Sequence, residues 1–594
     1  MMPKIANFVR ARPVTILFIA LVSVSLFVHL SHRIDHFQEC DSTYVYEALH
    51  NFPVASLSFN SYVSHGSFIS PEWAREILSS EPAKALMSFY RERYGVTDEE
   101  EFSARVTRAL TRLNPVTAFR AAYIAALSQI PAPFFAKSFF ALPTATTYSP
   151  GAGFLFGVFS NGETSYDNFM SRGTFITLAL FGISAVLLYF TSRMAGVSPL
   201  VGAILGTVFL FSISIYSYAY HLGSTIFNVA SAFVWMWFFV KYWNTPAFLR
   251  KMSLVTAIAF LFNYFIALYW LALAIFSIHK MFKESERPLT PKTFLGKAVA
   301  FLKTQKLALA SFFFVGLFFY PPGESFRGLV SIKLLPALFY KVVLNFFGFY
   351  NHGPVFNFIQ FGLAFILFIF ALRNIFSKKI ERTSSRFALY RFAAALALVY
   401  LALVLAHTLA FFPSRHILVF AAPIFLLAAL SLQHIVDRLR VAGAPLVLFW
   451  IALIALGFSS LFSRISDTKD RFVIGPVDQD TEKVFIYDCA ASLSYKDWGI
   501  NVPVEAIKPA SFAPKEGAVY LYASPATSFE EFQKSFMKEK LHATEAFNAE
   551  ILSESYDTSG ACFIGFPPDD MSCGFGGQNQ IYKTKFRILP SNTK

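Results

Sequence analysis

Residues 13–30 read Pro13-Val-Thr-Ile-Leu-Phe-Ile-Ala-Leu-Val-Ser-Val-Ser-Leu-Phe-Val-His-Leu30, an apolar block preceded by Lys4, Arg10 and Arg12. A block of this length crosses a bilayer as an α-helix. Because no small-x-small cleavage signal follows it, we interpret it as a retained signal anchor. The basic residues before it predict a cytoplasmic N-terminus.

The composition extends this interpretation to most of the chain. Of its 594 residues, 55% are hydrophobic and 15% are charged, whereas a soluble domain carries about 25% charged residues. The net charge of +14 comes from Lys and Arg in short loops between apolar blocks, where such residues set orientation. We therefore predict no nucleic-acid partner.

The apolar blocks predict a polytopic α-helical membrane protein with about eleven transmembrane helices. Beyond the first, the predicted spans are 174–192, 200–217, 223–241, 306–320, 355–373, 387–411, 417–434 and 444–463. Segment 252–278 has a basic loop at both ends, so it is expected to cross an even number of times. We predict two short helices that meet near Asn263 and Tyr264, and a single span is the alternative.

Two domains are predicted. Residues 1–463 form a transmembrane domain whose first loop, 31–172, lies outside the cytoplasm. Residues 464–594 are polar, with short β-like runs, and are enough to bury a core of their own, so we predict a small extracytoplasmic α/β domain.

The cysteines and the glycosylation signals indicate the compartment. Cys40, Cys489, Cys562 and Cys573 all fall in segments predicted to be outside, which fits an oxidising compartment. The chain contains no Asn-x-Ser/Thr sequon. Together these features favour a bacterial inner membrane, with the C-terminal domain in the periplasm.

An acidic motif, Glu39-Cys40-Asp41, follows closely after the first apolar block. Two carboxylates at this spacing can share a divalent cation such as Mg²⁺ or Mn²⁺, or one can act as a base while the other orients a substrate. The alternative is that Asp41 is simply the N-cap of a helix over 42–50.

Arginines mark the predicted outer ends of two spans. Arg415 and His416 follow a short outer loop, and Arg172 precedes the second span. The guanidinium group can bind a lipid phosphate through two parallel hydrogen bonds. Snorkelling of a flanking arginine to the membrane surface is the competing interpretation in both places.

These motifs in this order resemble the GT-C superfamily of membrane glycosyltransferases, which includes the protein O-mannosyltransferases and bacterial enzymes that modify lipid A or cell-wall glycans. The matching features are Glu39-Cys-Asp41 after the first span, a first outer loop ending at Tyr148-Ser-Pro150, Arg172 leading into a span that closes on Ser192-Arg-Met-Ala-Gly196, and the late opening Ser414-Arg-His-Ile-Leu. The resemblance covers most of residues 1–463, as architecture and short motifs.

This resemblance implies an inverting transfer of a sugar from a polyprenyl-phosphate donor. The acceptor would be a lipid, a glycan or a protein outside the cytoplasm. Asp41 would be the general base and Glu39 would assist it or hold a metal, while Arg415 and His416 would stabilise the phosphate leaving group and Arg172 would bind lipid phosphate.

Three other functions remain open on sequence alone. A transporter usually places ionisable residues at mid-membrane and contains internal repeats. A polysaccharide polymerase or ligase uses outer-loop arginines but lacks the early acidic motif. A non-catalytic scaffold would need its C-terminal segment and neither Asp41 nor Arg415.

Overall fold

The structure, a computed structural model, describes residues 12–31, 149–160, 166–219, 224–285, 290–318, 335–349, 353–376, 384–405, 415–469, 477–478, 480–486, 504–506, 515–524, 528–530, 533, 549–559 and 579–589. These residues fall into two compact units. The first contains helices up to Ser463, and the second contains the described residues from Arg464 onward. The four cysteines and residues 32–148 of the predicted first outer loop lie outside the described residues.

In its described ranges, the first unit consists of helices and the short connections between them. Its helices are α1 Pro13–Ser31, α2 Pro150–Ser160, α3 Tyr166–Met194, α4 Pro199–Phe211, α5 Ile213–Tyr218, α6 Ser224–Tyr242, α7 Phe248–Phe260, α8 Ile266–Ser285, α9 Pro291–Thr304, α10 Lys306–Phe318, α11 Leu335–Phe347, α12 Gly353–Phe376, α13 Ser385–Leu405, the 3-10 helix Arg415–Phe420, α14 Ala421–Leu439 and α15 Gly443–Lys469.

Seven of the described helices are long and apolar enough to cross a membrane, or eight if the bent pair α9 and α10 is counted as one span. The predicted span 200–217 is interrupted at Ser212, between α4 and α5, and α10 meets α9 at an angle of 75°. A chain of several membrane-spanning helices is therefore supported, while the count of about eleven stays a prediction.

The predicted division of segment 252–278 is confirmed. Helix α7 ends at Phe260 and α8 begins at Ile266, so the break contains Asn263 and Tyr264. Asn263 is fully buried and fixes the break, because its side-chain nitrogen donates to the Asn228 carbonyl at 3.1 Å and its oxygen accepts from the Phe265 amide at 2.8 Å.

Aromatic side chains fill the interior of the helical unit. The ring of Phe239 on α6 lies 5.6 Å from Trp235, 4.8 Å from Phe392 and 6.0 Å from Phe276. The Trp235 indole also donates to the Thr256 hydroxyl at 2.9 Å. Edge-to-face and offset ring pairs of this kind add to the burial energy of the rings themselves, and here they join α6, α7, α8 and α13.

A glycine-containing turn ends α3. The Val197 amide donates to the Ser192 carbonyl, the Gly196 amide donates to the Arg193 carbonyl, and Gly196 has φ of 81°. This is a Schellman motif, in which a glycine adopts the left-handed conformation at low cost. Arg386, at the start of α13, donates to the carbonyls of Ala195 and Gly196.

The second unit contains a five-stranded mixed sheet, formed by β1 Lys483–Ile486, β2 Val504–Ala506, β3 Val519–Ser524, β4 Ala549–Ser559 and β5 Asn579–Ile588. The strand order is β2-β1-β3-β5-β4. Strand β1 is parallel to β2 and β3, whereas β5 is antiparallel to β3 and β4. The β-like runs predicted at Lys483 and Ala518 correspond to β1 and β3.

One face of this sheet carries a small core of Tyr520, Tyr522, Phe529, Phe586 and Ile588. On β5, an inner strand of the sheet, the Lys585 ammonium group lies 2.8 Å from carboxylate oxygens of both Asp478 and Asp480. These hydrogen bonds hold the pKa of Asp480 below its usual value. The sheet fits the strand part of the predicted α/β domain, and its helical part stays a prediction.

Glycine permits close contact between α1 and α4. A Cβ atom placed on Gly206 would lie 2.4 Å from the Phe18 ring, and Phe18 is fully buried. Gly362 on α12 has no atom within 4 Å of the corresponding position. The two glycines are therefore a matched pair for testing helix packing.

We expect Gly206→Ala to destabilise the protein by about 1–3 kcal/mol, because the added methyl group pushes α4 away from α1. Gly362→Ala should leave stability unchanged or raise it slightly, because alanine favours the helix. Thermal unfolding of both variants in detergent measures the difference. Equal midpoints for the two variants would contradict the α1–α4 contact.

Candidate functional site

The 3-10 helix Arg415–Phe420, here called the Arg415 helix, carries the second sequence-predicted motif. It leads directly into α14 and contacts α5 and α6. Ile417, Leu418 and Val419 are buried. The backbone of Arg415 therefore begins a short helix that is enclosed by other helices after its first residues.

Tyr269 on α8 anchors this helix. Its hydroxyl donates to the Val419 carbonyl at 2.6 Å, and the side chain is fully buried. The Tyr269 ring also lies 5.3 Å from Trp235 and 6.0 Å from Phe392. The hydrogen bond thus connects the Arg415 helix to the aromatic interior of the unit.

A second anchoring point lies at the break between α4 and α5. The Ile213 amide donates to the Gly348 carbonyl at 2.9 Å, and the Ser212 hydroxyl donates to the Asn345 carbonyl at 3.2 Å. The Ser214 hydroxyl donates to the Asn345 side-chain oxygen. The α4–α5 break is therefore held by the end of α11.

A third contact joins the start of α2 to the α7–α8 break. The Ser149 hydroxyl donates to the Phe262 carbonyl and the Gly151 amide donates to the Leu261 carbonyl, both at 2.8 Å. A Cβ atom on Gly151 would lie 2.4 Å from the Phe262 ring. The Ser-Pro turn predicted to end the first outer loop thus packs on a broken helix.

Each of the two breaks follows a short helix of the same length, α4 at the first break and α7 at the second. Helices α4 and α7 have 13 residues each, or about 20 Å of α-helix, which is shorter than the hydrocarbon core of about 30 Å. Non-helical backbone at membrane depth is tolerated only where protein or water satisfies its polar groups. We refer to the two breaks, the Ser149–Gly151 turn and the Arg415 helix together as the break region.

Arg172, the third predicted phosphate ligand, lies near the beginning of α3 with an exposed side chain. Five residues further along, the Thr177 hydroxyl donates to the Ala219 carbonyl at 2.6 Å. Ala219 directly follows α5, which contacts the Arg415 helix. The backbones of Arg172 and Arg415 therefore lie at the same end of the helical unit.

Glu39 and Asp41 lie outside the described residues, and so do the side chains of Arg415 and His416. Within the ranges that the structure describes, no group of three or more His, Cys, Asp and Glu side chains is arranged to hold a metal ion. The role of Glu39 and Asp41 as a base or as ligands of Mg²⁺ or Mn²⁺ stays a prediction.

One candidate was missed in the sequence. His29 is the only ionisable residue of the apolar block 13–30 and is fully buried in the last turn of α1. Its ring lies 5.5 Å from Tyr216 on α5 and 6.0 Å from Phe181 on α3. An ionisable residue inside a membrane helix often indicates a functional site. His29 lies ten residues before Glu39 in the sequence.

Comparisons with known proteins give limited information. No family model and no curated protein sequence matches the chain. Among solved structures, ArnT from Cupriavidus metallidurans bound to undecaprenyl phosphate is similar at 10% identity and a TM-score of 0.27, covering 74% of this chain and 87% of that one. Its apo structure is similar at 11% identity and a TM-score of 0.26, covering 89% and 95%. TM-scores this low do not establish a shared fold.

We expect Tyr269→Phe to loosen the Arg415 helix, because the Val419 carbonyl then loses its buried donor. The lost hydrogen bond removes about 1 kcal/mol of stabilising free energy, which raises the population of molecules with an opened Arg415 helix about fivefold. Hydrogen–deuterium exchange of the peptide containing residues 415–420 reports this population.

Tyr390→Phe is the matched control. The Tyr390 hydroxyl accepts a hydrogen bond from the Asn374 side chain at 3.0 Å, and neither residue belongs to the Arg415 helix. It should leave exchange in 415–420 unchanged. Faster exchange in both variants, or in neither, would contradict the anchoring role of Tyr269.

Proposed function

We propose that this protein is an integral membrane glycosyltransferase of the GT-C type. It transfers a sugar from a polyprenyl-phosphate donor to a lipid, glycan or protein acceptor on the extracytoplasmic side. The observation that carries the proposal is the Arg415 helix, which begins with the motif residue Arg415 and is anchored among broken helices.

The proposed reaction is a single inverting displacement. An acceptor hydroxyl attacks the anomeric carbon, the new glycosidic bond forms, and the bond from that carbon to the phosphate oxygen breaks. Asp41 takes the hydroxyl proton as general base. Glu39 orients the acceptor or shares a divalent cation with Asp41, which would supply positive charge to the reacting oxygens.

Arg415 is the residue suited to the leaving group. Its guanidinium group offers a planar fork of N–H donors to phosphate oxygens, which gain negative charge as the bond breaks. Such preorganised donors contribute most where water is excluded. The short helix that Arg415 begins is fixed by Tyr269, so the arginine backbone needs little reorganisation, and His416 and Arg172 supply further donors to the lipid phosphate.

The break region also supports a second candidate, a transporter of lipid-linked sugars. Transporters commonly form substrate sites from discontinuous helices, and this protein has breaks at Ser212 and at 261–265. The polar side chains that stabilise those breaks are serine and asparagine, which are neutral. The early acidic motif has a chemical use in a transferase and favours that function.

Asp41→Asn should abolish transfer of radiolabelled sugar from polyprenyl-phosphate donors in membranes, because the amide cannot accept the hydroxyl proton. Asp35→Asn, a control in the same predicted loop, should retain full transfer. Equal transfer by wild type and Asp41→Asn at equal expression would remove Asp41 from the mechanism. Movement of lipid-linked sugar across vesicles without a covalent product would favour the transporter.

Arg415→Gln should lower kcat by about 10²–10³-fold, the usual effect of removing one preorganised donor. Arg415→Lys should recover only part of that loss, because lysine keeps the charge without the bidentate fork. Steady-state kinetics with a purified donor separate these effects from KM. Full activity of Arg415→Gln would leave snorkelling as the role of this arginine.

A further inference from the structure

An apolar groove lies on the surface of the helical unit, where α3 and α6 end. It has a volume of about 450 Å³ and is lined by Leu187, Phe190, Arg193, Met194 and Trp237. Leu187, Phe190 and Met194 lie along one face of α3 over about 10 Å. Phe190 and Met194 are more than a third exposed.

Two cations lie at the end of this groove. Arg193 lines it directly, and its guanidinium group uses one N–H on the Val197 carbonyl, which leaves other donors of the five available. The Lys241 ammonium group lies 4.4 Å from the centre of the Trp237 ring. Trp237 therefore connects the apolar lining to a second positive charge.

Other lysines at the neighbouring helix ends are held in the same way. Lys251 lies 4.1 Å from the centre of the Tyr242 ring, and Lys280 lies 4.2 Å from that of Trp243. Amphipathic aromatic rings with adjacent cations are typical of the level at which a membrane meets water. The basic loops predict that this level is the cytoplasmic surface, where anionic lipids attract Lys and Arg.

None of the residues that the structure describes as lining the groove is acidic. Asp437 on α14 accepts a hydrogen bond from Gln433 at 2.6 Å. Gln433 in turn accepts from the Ser198 amide at 2.8 Å. Asp437 does not line the groove, so the groove combines an apolar surface with positive charge.

We propose that this groove binds one anionic glycerophospholipid. An acyl chain lies along Leu187 and Phe190, and the phosphate of the headgroup contacts Arg193 and Lys241. A site of this kind is separate from the break region and does not depend on the proposed transferase activity. It binds a structural or regulatory membrane lipid on the side opposite to the predicted donor site.

Native mass spectrometry of the full-length protein in detergent tests this proposal with phosphatidylglycerol and phosphatidylcholine of identical chains. We expect wild type to bind one phosphatidylglycerol molecule in preference to phosphatidylcholine. Lys241→Gln should weaken that binding about fivefold, the usual effect of one lysine near an anionic membrane surface. Lys241→Arg should restore it.

Lys303→Gln is the matched control, because Lys303 is an exposed lysine in the last turn of α9 and does not line the groove. It should bind phosphatidylglycerol as wild type does. Leu187→Trp fills the groove without changing its charge and should also weaken phosphatidylglycerol binding. This variant tests the proposal independently if Lys241→Gln does not fold.

Three results would overturn the proposal. One is equal binding of phosphatidylglycerol and phosphatidylcholine by wild type. Another is an equal loss in Lys241→Gln and Lys303→Gln, which would indicate general surface attraction. The third is displacement of phosphatidylglycerol by undecaprenyl phosphate at equal concentration, which would assign the groove to a polyprenyl phosphate instead.

Discussion

The structure depends on satisfying backbone polar groups where helices break inside an apolar environment. Lipid offers no hydrogen bonds, so each unpaired amide or carbonyl at that depth costs several kcal/mol. At the α4–α5 break the Gly348 carbonyl accepts from the Ile213 amide, and at the α7–α8 break the Asn263 side chain, the Ser149 hydroxyl and the Gly151 amide provide the partners. Side chains and neighbouring backbone thus replace the missing helical bonds.

This constraint also determines which segments meet. The partners of each break come from distant parts of the chain: Ile213 bonds to Gly348, and Phe262 bonds to Ser149. The Arg415 helix follows the same rule, because Tyr269 supplies the donor for Val419. Of the motifs identified in the sequence, Ser149-Pro150 and the backbone that begins at Arg415 therefore lie near interrupted helices.

Much of the helical architecture could be predicted from sequence, because long apolar blocks have few alternatives in a membrane. The break near Asn263 was predictable because basic loops on both sides required two crossings of a segment too short for two full spans. The break at Ser212 was not, since 200–217 is a continuous uncharged and mostly apolar block, and the partner of Ser212, Asn345, is more than a hundred residues away. Strands β4 and β5 were missed because polar residues occur throughout both of them. Pairing in the sheet gives β5 a buried face at Thr584, Phe586 and Ile588.

The sequence predicted which motifs belong to the candidate site, but it did not predict how they are arranged in space. Arg172 and Arg415 were identified from their positions at the ends of apolar blocks, yet their placement at one end of the unit depends on α5, which contacts the Arg415 helix and is followed by Ala219. His29 was passed over because a single histidine in an apolar run carries no spacing pattern. Its proximity to Tyr216 requires the packing of α1 against α3 and α5.

The contact between Arg386 and the Schellman turn has a consequence for biogenesis. The arginine starts α13, whereas the carbonyls it binds end α3, nearly two hundred residues earlier in the chain. The bond forms only if both points reach the same side of the membrane. A chain inserted with one of these helices inverted cannot complete it, so the contact is compatible only with a topology that brings the end of α3 and the start of α13 to one side.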